Sequence, residues 1–124
     1  MGFFDNALNK VSNELLAKHT ASVATLLVEN EVIESAFLGA EGFIIFTNIR
    51  IIVTANSLFT KQKETAFLHY EKIVSYSYLF NTTSIFNVNG IMIRISGDSY
   101  DFKCTKEAAF EITKILALKI LSHI

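Results

Sequence analysis

The chain reads as mainly β with helices, an α+β domain in which seven antiparallel strands are preceded by a helical extension and closed by a C-terminal helix. Three observations carry that reading. First, in Gly42 to Val53 the runs Phe43-Ile44-Ile45-Phe46 and Ile49-Arg50-Ile51-Ile52-Val53 flank Thr47-Asn48. β-Branched and aromatic runs on either side of a short polar step predict a tight hairpin, and Asn suits such a turn because it tolerates the left-handed backbone region. Second, Ile91, Ile93 and Ile95 alternate with Met92, Arg94 and Ser96, the period of a strand with one face inward. Third, the apolar positions between Lys106 and Ser122 recur at helical spacing.

Taken in order, Phe4, Leu8, Val11 and Leu15 recur at spacings of four and three, with Asn, Lys and Glu between them. This predicts an amphipathic helix capped by Asp5. A second helical stretch is expected from about Ser22 to Val28, presenting Val23, Leu26 and Leu27, and Glu29-Asn30-Glu31 then breaks the period. The first strand runs from Val32 to Leu38, and Gly39-Ala40-Glu41-Gly42 turns it into the hairpin. A loop from Asn56 to Gln62 precedes a fourth strand, Glu64 to Tyr70. The fifth, Ile73 to Phe80, places Tyr76, Tyr78 and Phe80 on one face and Ser75 and Ser77 on the other. After the sixth, Gly97-Asp98 makes a turn, and Tyr100, Phe102 and Cys104 alternate with Asp101, Lys103 and Thr105 in the seventh.

The closing helix has Thr105 as its N-cap, acids Glu107 and Glu111 near its start and Lys119 near its end, which complements the helix dipole. Ala108, Ala109, Ile112, Ile115, Leu116 and Ile120 form one apolar face; Phe110, Ala117, Leu121 and Ile124 form another nearly opposite. Such a helix needs two packing partners, the second being the N-terminal helices or a neighbouring subunit. The whole is one domain over 1–124: a helical extension (1–29), strands (31–105) and a capping helix (106–122).

Seven strands and one C-terminal helix is the order of a pleckstrin-homology-like split barrel, and the residues resemble one branch of it, the bacterial pleckstrin-homology domains, formerly a domain of unknown function. The resemblance rests on Met1-Gly2-Phe3-Phe4-Asp5, Phe46-Thr47-Asn48-Ile49-Arg50, Tyr70-Glu71-Lys72-Ile73-Val74-Ser75-Tyr76-Ser77 and Ile95-Ser96-Gly97. It implies a soluble bacterial domain that assembles into cyclic homo-oligomers, with no established catalytic activity. Two departures stand out. Asn81, Asn87 and Asn89 occupy a segment that is acidic in many relatives, and Gly39-Ala40-Glu41-Gly42 is not the basic loop of lipid-binding pleckstrin-homology domains.

Composition narrows the function classes. At 124 residues with 51% hydrophobic residues, 19% charged residues and 11 Phe, the chain is too apolar for disorder and rich enough in large apolar groups to call for a second burial surface in a partner or an identical subunit. A net charge of −1 offers no general attraction to nucleic acid. The start lacks a secretory pattern, no run is long enough to span a bilayer, and the one cysteine, Cys104, permits no intramolecular disulfide, so the cytoplasm is the expected compartment.

Catalytic and metal-ligating groups are sparse. His19, His69 and His123 lie far apart, Cys104 sits on an apolar strand face, and Asp98 and Asp101 read as turn and strand residues. The chain is therefore expected to be no enzyme and to hold no metal or cofactor. Arg50, interrupting an apolar strand, is the candidate contact for an anion or carboxylate. The candidate interface residues are Phe3, Phe4, Tyr76, Tyr78, Phe80, Phe110 and Leu121. The expected function is a ring-forming scaffold or protein-binding module; the alternative is a peripheral membrane module using the Phe3/Phe4 helix, where Lys10 and Lys18 supply its cations.

Overall fold

Hydrophobic runs that alternate on one sheet and run continuously on the other determine how the layers stack. The computed structural model describes residues 9–10, 21–38, 42–56, 63–80 and 89–123. A five-stranded antiparallel sheet has the order β1 (Asn9–Lys10), β2 (Ile33–Leu38), β3 (Phe43–Thr47), β4 (Arg50–Asn56) and β5 (Lys63–His69). A short 3-10 turn, Tyr70–Lys72, leads to the second sheet: β6 (Ile73–Phe80), β7 (Asn89–Ile95) and β8 (Asp98–Cys104). The helix α1 spans Ala21–Ala24 and α2 spans Lys106–Ser122.

The main core lies between the two sheets under α2. Register places Ile44 opposite Val53 and Phe46 opposite Ile51 and, next along, Leu68, so their side chains share the inner face of the first sheet. They meet Ile91 and Ile93 of β7 and Ala108, Ala109, Ile112 and Leu116 of α2 in one buried cluster. Each large aliphatic side chain buried there contributes about 1.5–3 kcal/mol. The alternation in β7 and the inner face of α2 thus sit as the sequence predicts. Thr105 caps α2, its Oγ1 accepting the Ala108 amide hydrogen at 3.2 Å.

Ala36, Ile45 and Ile52 project from the other face of the first sheet and form a second, smaller core with Val23, with Leu27 packed against it. This explains why β3 and β4 read as continuous apolar runs: both of their faces are buried.

Three expectations are corrected. Asn9 and Lys10, in the middle of the predicted first helix, are extended and pair with Leu38 and Phe37 of β2. Backbone pairing with a sheet edge overrides a local helical period; the remainder of that predicted helix lies outside the described residues. The second predicted helix shrinks to α1, because the Val28 amide donates to the Glu31 carboxylate at 3.0 Å and does not continue a helical ladder. The hairpin turn falls at Asn48–Ile49, with Thr47 as the last residue of β3. Thr47 Oγ1 accepts the amide hydrogens of Ile49 and Arg50 at 3.2 and 3.0 Å, which holds the turn one residue later than predicted. Among the described residues the non-glycine with positive φ is Asn30 (69°), not Asn48.

Candidate functional site: a clamped linker and an exposed helix face

The hairpin tip between β3 and β4 grips the linker that joins α1 to β2. Arg50 and Ile52 lie on the same face of β4, so Arg50 projects to the side of the sheet covered by α1. There it meets Glu31: Nε donates to Oε2 at 2.8 Å and Nη2 to Oε1 at 2.9 Å, a two-pronged grip. Nη2 also donates to the Leu26 carbonyl at 3.0 Å, and the guanidinium lies 4.6 Å from the centre of the Phe67 ring. Thr47 Oγ1 donates to Glu31 Oε2 at 2.8 Å. Asn48 completes the clamp on the outside, accepting from the Val32 amide at 2.8 Å and donating to the Asn30 carbonyl at 3.0 Å.

The Glu31 side chain is fully shielded from solvent and that of Arg50 nearly so. Burial alone would discourage ionisation of the carboxyl. The hydrogen bonds from Arg50, Val28 and Thr47 and the Arg50 charge outweigh that penalty, and its pKa lies below the ordinary value of 4.5. Below the clamp, Tyr70 Oη donates to the Thr47 carbonyl at 2.6 Å; burial, followed by the charges of Glu34 and Glu31, raises its pKa and keeps it a donor.

The sequence singled out Arg50 but missed Glu31, which stood where Glu29-Asn30-Glu31 breaks the helical period, at the start of the strand region. The signal that could have found it is the need of a half-buried arginine for an acid. Two acids, Glu29 and Glu31, bracket the same loop, and only folding chooses between them.

The second feature is the outer face of α2. Its inner face is buried, yet Phe110, Leu118 and Leu121 on the other side are 48%, 67% and 66% exposed. Phe110 rests against Tyr78, with ring centres 5.4 Å apart, and Tyr78 Oη donates to Asn89 Oδ1 at 2.6 Å. Tyr76 and Tyr78 are half-buried against the main core. Thus Phe110 meets Tyr78, whereas Leu121 stands exposed near the end of α2 and Arg50 belongs to the linker clamp. Phe3 and Phe4 lie outside the described residues, as does the side chain of Phe80.

Elsewhere the groups with catalytic potential are scattered. The Cys104 thiol is buried, and burial pushes its pKa up to about 12 against a smaller opposing effect of a backbone hydrogen bond from Ile91. His123 Nδ1 lies 2.8 Å from the Lys119 carbonyl, and its ring lies 5.0 Å from that of Tyr70. Asp98 accepts from the Ser99 amide at 2.8 Å at the start of β8. Among the described residues no three His, Cys, Asp or Glu side chains converge to hold a metal. No described helix is long and apolar enough to cross a membrane.

Two antiparallel sheets closed at one end by a C-terminal helix define a pleckstrin-homology-like fold. The chain belongs to the Bacterial PH domain family, whose model matches residues 2–123. It is 32% identical over 124 residues to the uncharacterized protein YjqA of Bacillus subtilis (strain 168), covering 94% of this chain and 97% of that protein. In three dimensions it is similar to a DUF1696 family protein with a pleckstrin-homology domain from Shewanella loihica PV-4, with a TM-score of 0.69, 18% identity, and coverage of 93% of this chain and 98% of that one. A pleckstrin-homology domain from Shewanella amazonensis SB2B gives a TM-score of 0.69 at 21% identity, covering 86% of this chain and 98% of that one.

Proposed function

We propose that the protein is a non-enzymatic, self-associating scaffold of the cytoplasm whose cyclic homo-oligomer presents a binding surface to another protein. The observation that carries this reading is the exposed outer face of α2. Phe110, Leu118 and Leu121 leave three large apolar side chains partly in water, with exposed Lys114 between the first two, on a helix already anchored by its opposite face. Single apolar residues are ordinary on a surface, but three on the outward side of one helix mark a place where burial remains to be gained. Covering each of these side chains contributes about 1–2 kcal/mol, given their partial exposure. A buried thiol held protonated supports the non-enzymatic part, since the thiolate is the reactive form.

Light scattering coupled to size-exclusion chromatography tests it. The wild type is expected to elute as a discrete oligomer at micromolar concentration, and Leu118→Asp/Leu121→Asp to elute as a folded monomer with unchanged helical circular dichroism. A wild type that is strictly monomeric removes the reading.

A further inference from the structure

Arg94 stands on the outward face of the second sheet, held in place by hydroxyls rather than by an acid. Register sets three rungs on that face across β6, β7 and β8: Ser75, Arg94 and Ser99; Ser77, Met92 and Asp101; Leu79, Gly90 and Lys103. Ile91 and Ile93 between them enter the main core, so the rung side chains face the other way. Arg94 leans toward β6: its Nη1 donates to Ser77 Oγ at 2.8 Å and to Ser75 Oγ at 3.4 Å. Asp101 lies on the opposite neighbouring strand, and among the described residues Arg94 has no carboxylate partner.

The chain's other arginine shows what is missing. Arg50 uses the Nε/Nη2 edge of its guanidinium to grip Glu31, and the Thr47 hydroxyl donates to the same carboxylate. In Arg94 the serines occupy Nη1. The Nε/Nη2 edge, on the other side of that planar group, makes no hydrogen bond to a described residue. Ser99, opposite Arg94 on the β8 side, is exposed and places a hydroxyl on the same rung. A fork and a hydroxyl are thus present as they are around Glu31, without the carboxylate. Arg94, Ser75 and Ser77 are half-buried, so the guanidinium is already held and loses little freedom when its fork is used.

We propose that Arg94, steadied by Ser75 and Ser77, is the anchor point for an acidic side chain of a partner protein, an Asp or Glu with an apolar neighbour. Charge complementarity selects the acid, and the guanidinium fork matches a carboxylate with two parallel hydrogen bonds. The apolar neighbour is set by the half-buried Met92 and by Leu79, which is 42% exposed, on the adjacent rungs. Asp101, on the Met92 rung, repels a second acid, so a single acid fits better than an acidic run. This rests on the reading of the chain as a protein-binding scaffold and specifies its partner's chemistry, at a face of the second sheet turned away from α2.

The test uses the full chain, isotope-labelled, and peptides selected from phage-displayed random dodecapeptides. Selected peptides are expected to share one Asp or Glu beside an apolar residue, and replacing it by Asn or Gln should weaken binding about tenfold. Arg94→Gln should weaken the acidic peptide by the same factor and its amide version hardly at all, the coupling that direct contact requires. Arg94→Lys should restore only part of the loss, because an ammonium lacks the fork. Lys114→Gln, the same charge change on α2, should leave binding unchanged. In the unsubstituted protein, bound peptide should shift the Arg94 Nε–H magnetic resonance signal and leave that of Arg50 in place, a readout that holds even where an Arg94 variant misfolds. The inference is overturned if no peptide is selected, if the acid can be replaced without loss, or if the Arg94 signal stays still on binding. It is overturned equally if that signal shifts as protein concentration rises without peptide, meaning an acid of a second copy fills the site. Inorganic phosphate that shifts it where glutarate at equal concentration does not would also overturn it, in favour of a phosphate site. A strict monomer that binds acidic peptide at Arg94 would sink self-association and keep this site, and an oligomer that selects no acidic peptide would do the reverse.

Discussion

Removing the Arg50 guanidinium isolates the clamp from the rest of the fold. In Arg50→Ala the Glu31 carboxylate, fully shielded from solvent, loses two donated hydrogen bonds and its countercharge, and the Leu26 carbonyl loses a third donor. Stranding one member of a buried pair costs about 3–5 kcal/mol. Two donors, the Val28 amide and the Thr47 hydroxyl, stay in place, which puts the expected loss near the lower end, at about 3 kcal/mol. For a chain of this length that lowers Tm by on the order of 10 °C. The chain contains no Trp, so urea unfolding followed by circular dichroism is the suitable assay. Replacing both partners, Glu31→Leu/Arg50→Leu, should cost clearly less than the sum of the single changes, since no charge is then stranded. A loss below about 1 kcal/mol for Arg50→Ala, or a double variant equal to the sum, would refute the clamp as an energetic unit.

The pH dependence follows from the same pair. The folded-state pKa of Glu31 is lowered, so its contribution is fully present above the ordinary value of 4.5 and is lost as pH falls through the lower folded value. In Arg50→Ala, burial is left with weaker opposition, and acidification below pH 4.5 should cost that variant less stability than it costs the wild type.

Other predictions are more local. Cys104, with its pKa pushed up to about 12, should react with an aromatic disulfide reagent at pH 8 only on unfolding, because roughly one thiol in ten thousand is ionised in the native state; fast reaction of the folded protein would contradict its burial. The raised value also means that the unfolded chain loses this proton first as pH rises above 9, so the thiol's contribution to stability declines from there toward pH 12. Thr105→Ala removes the cap of α2 and should destabilise by about 1 kcal/mol in urea unfolding, with Thr105→Ser close to wild type. Asn48→Ala frees the Val32 amide and the Asn30 carbonyl; amide exchange at Val32 should accelerate by about tenfold while the main core stays protected.

The amino-acid sequence by itself determined the features that neighbours along the chain decide. The inward Ile91 and Ile93, the inner face of α2, the Thr105 cap and the β3–β4 hairpin all follow from periods or contacts of a few residues, and the matching surfaces exist to receive them. Tertiary structure alone decided what depends on distant partners. Asn9 and Lys10 carry a helical pattern but pair with β2, because intrinsic helix preference differs by only tenths of a kcal/mol per residue and yields to ladder formation. Arg50 was conspicuous as a lone charge in an apolar strand, yet its acid lies 19 positions away, where the local pattern shows only the break of a helical period. Whether a carboxylate there is solvated or buried is set by the sheet face it lands on, and no local period encodes that. The same holds for Tyr78 and Phe110: both are visible in the sequence as aromatic residues, but that their rings meet is a fact of the assembled structure.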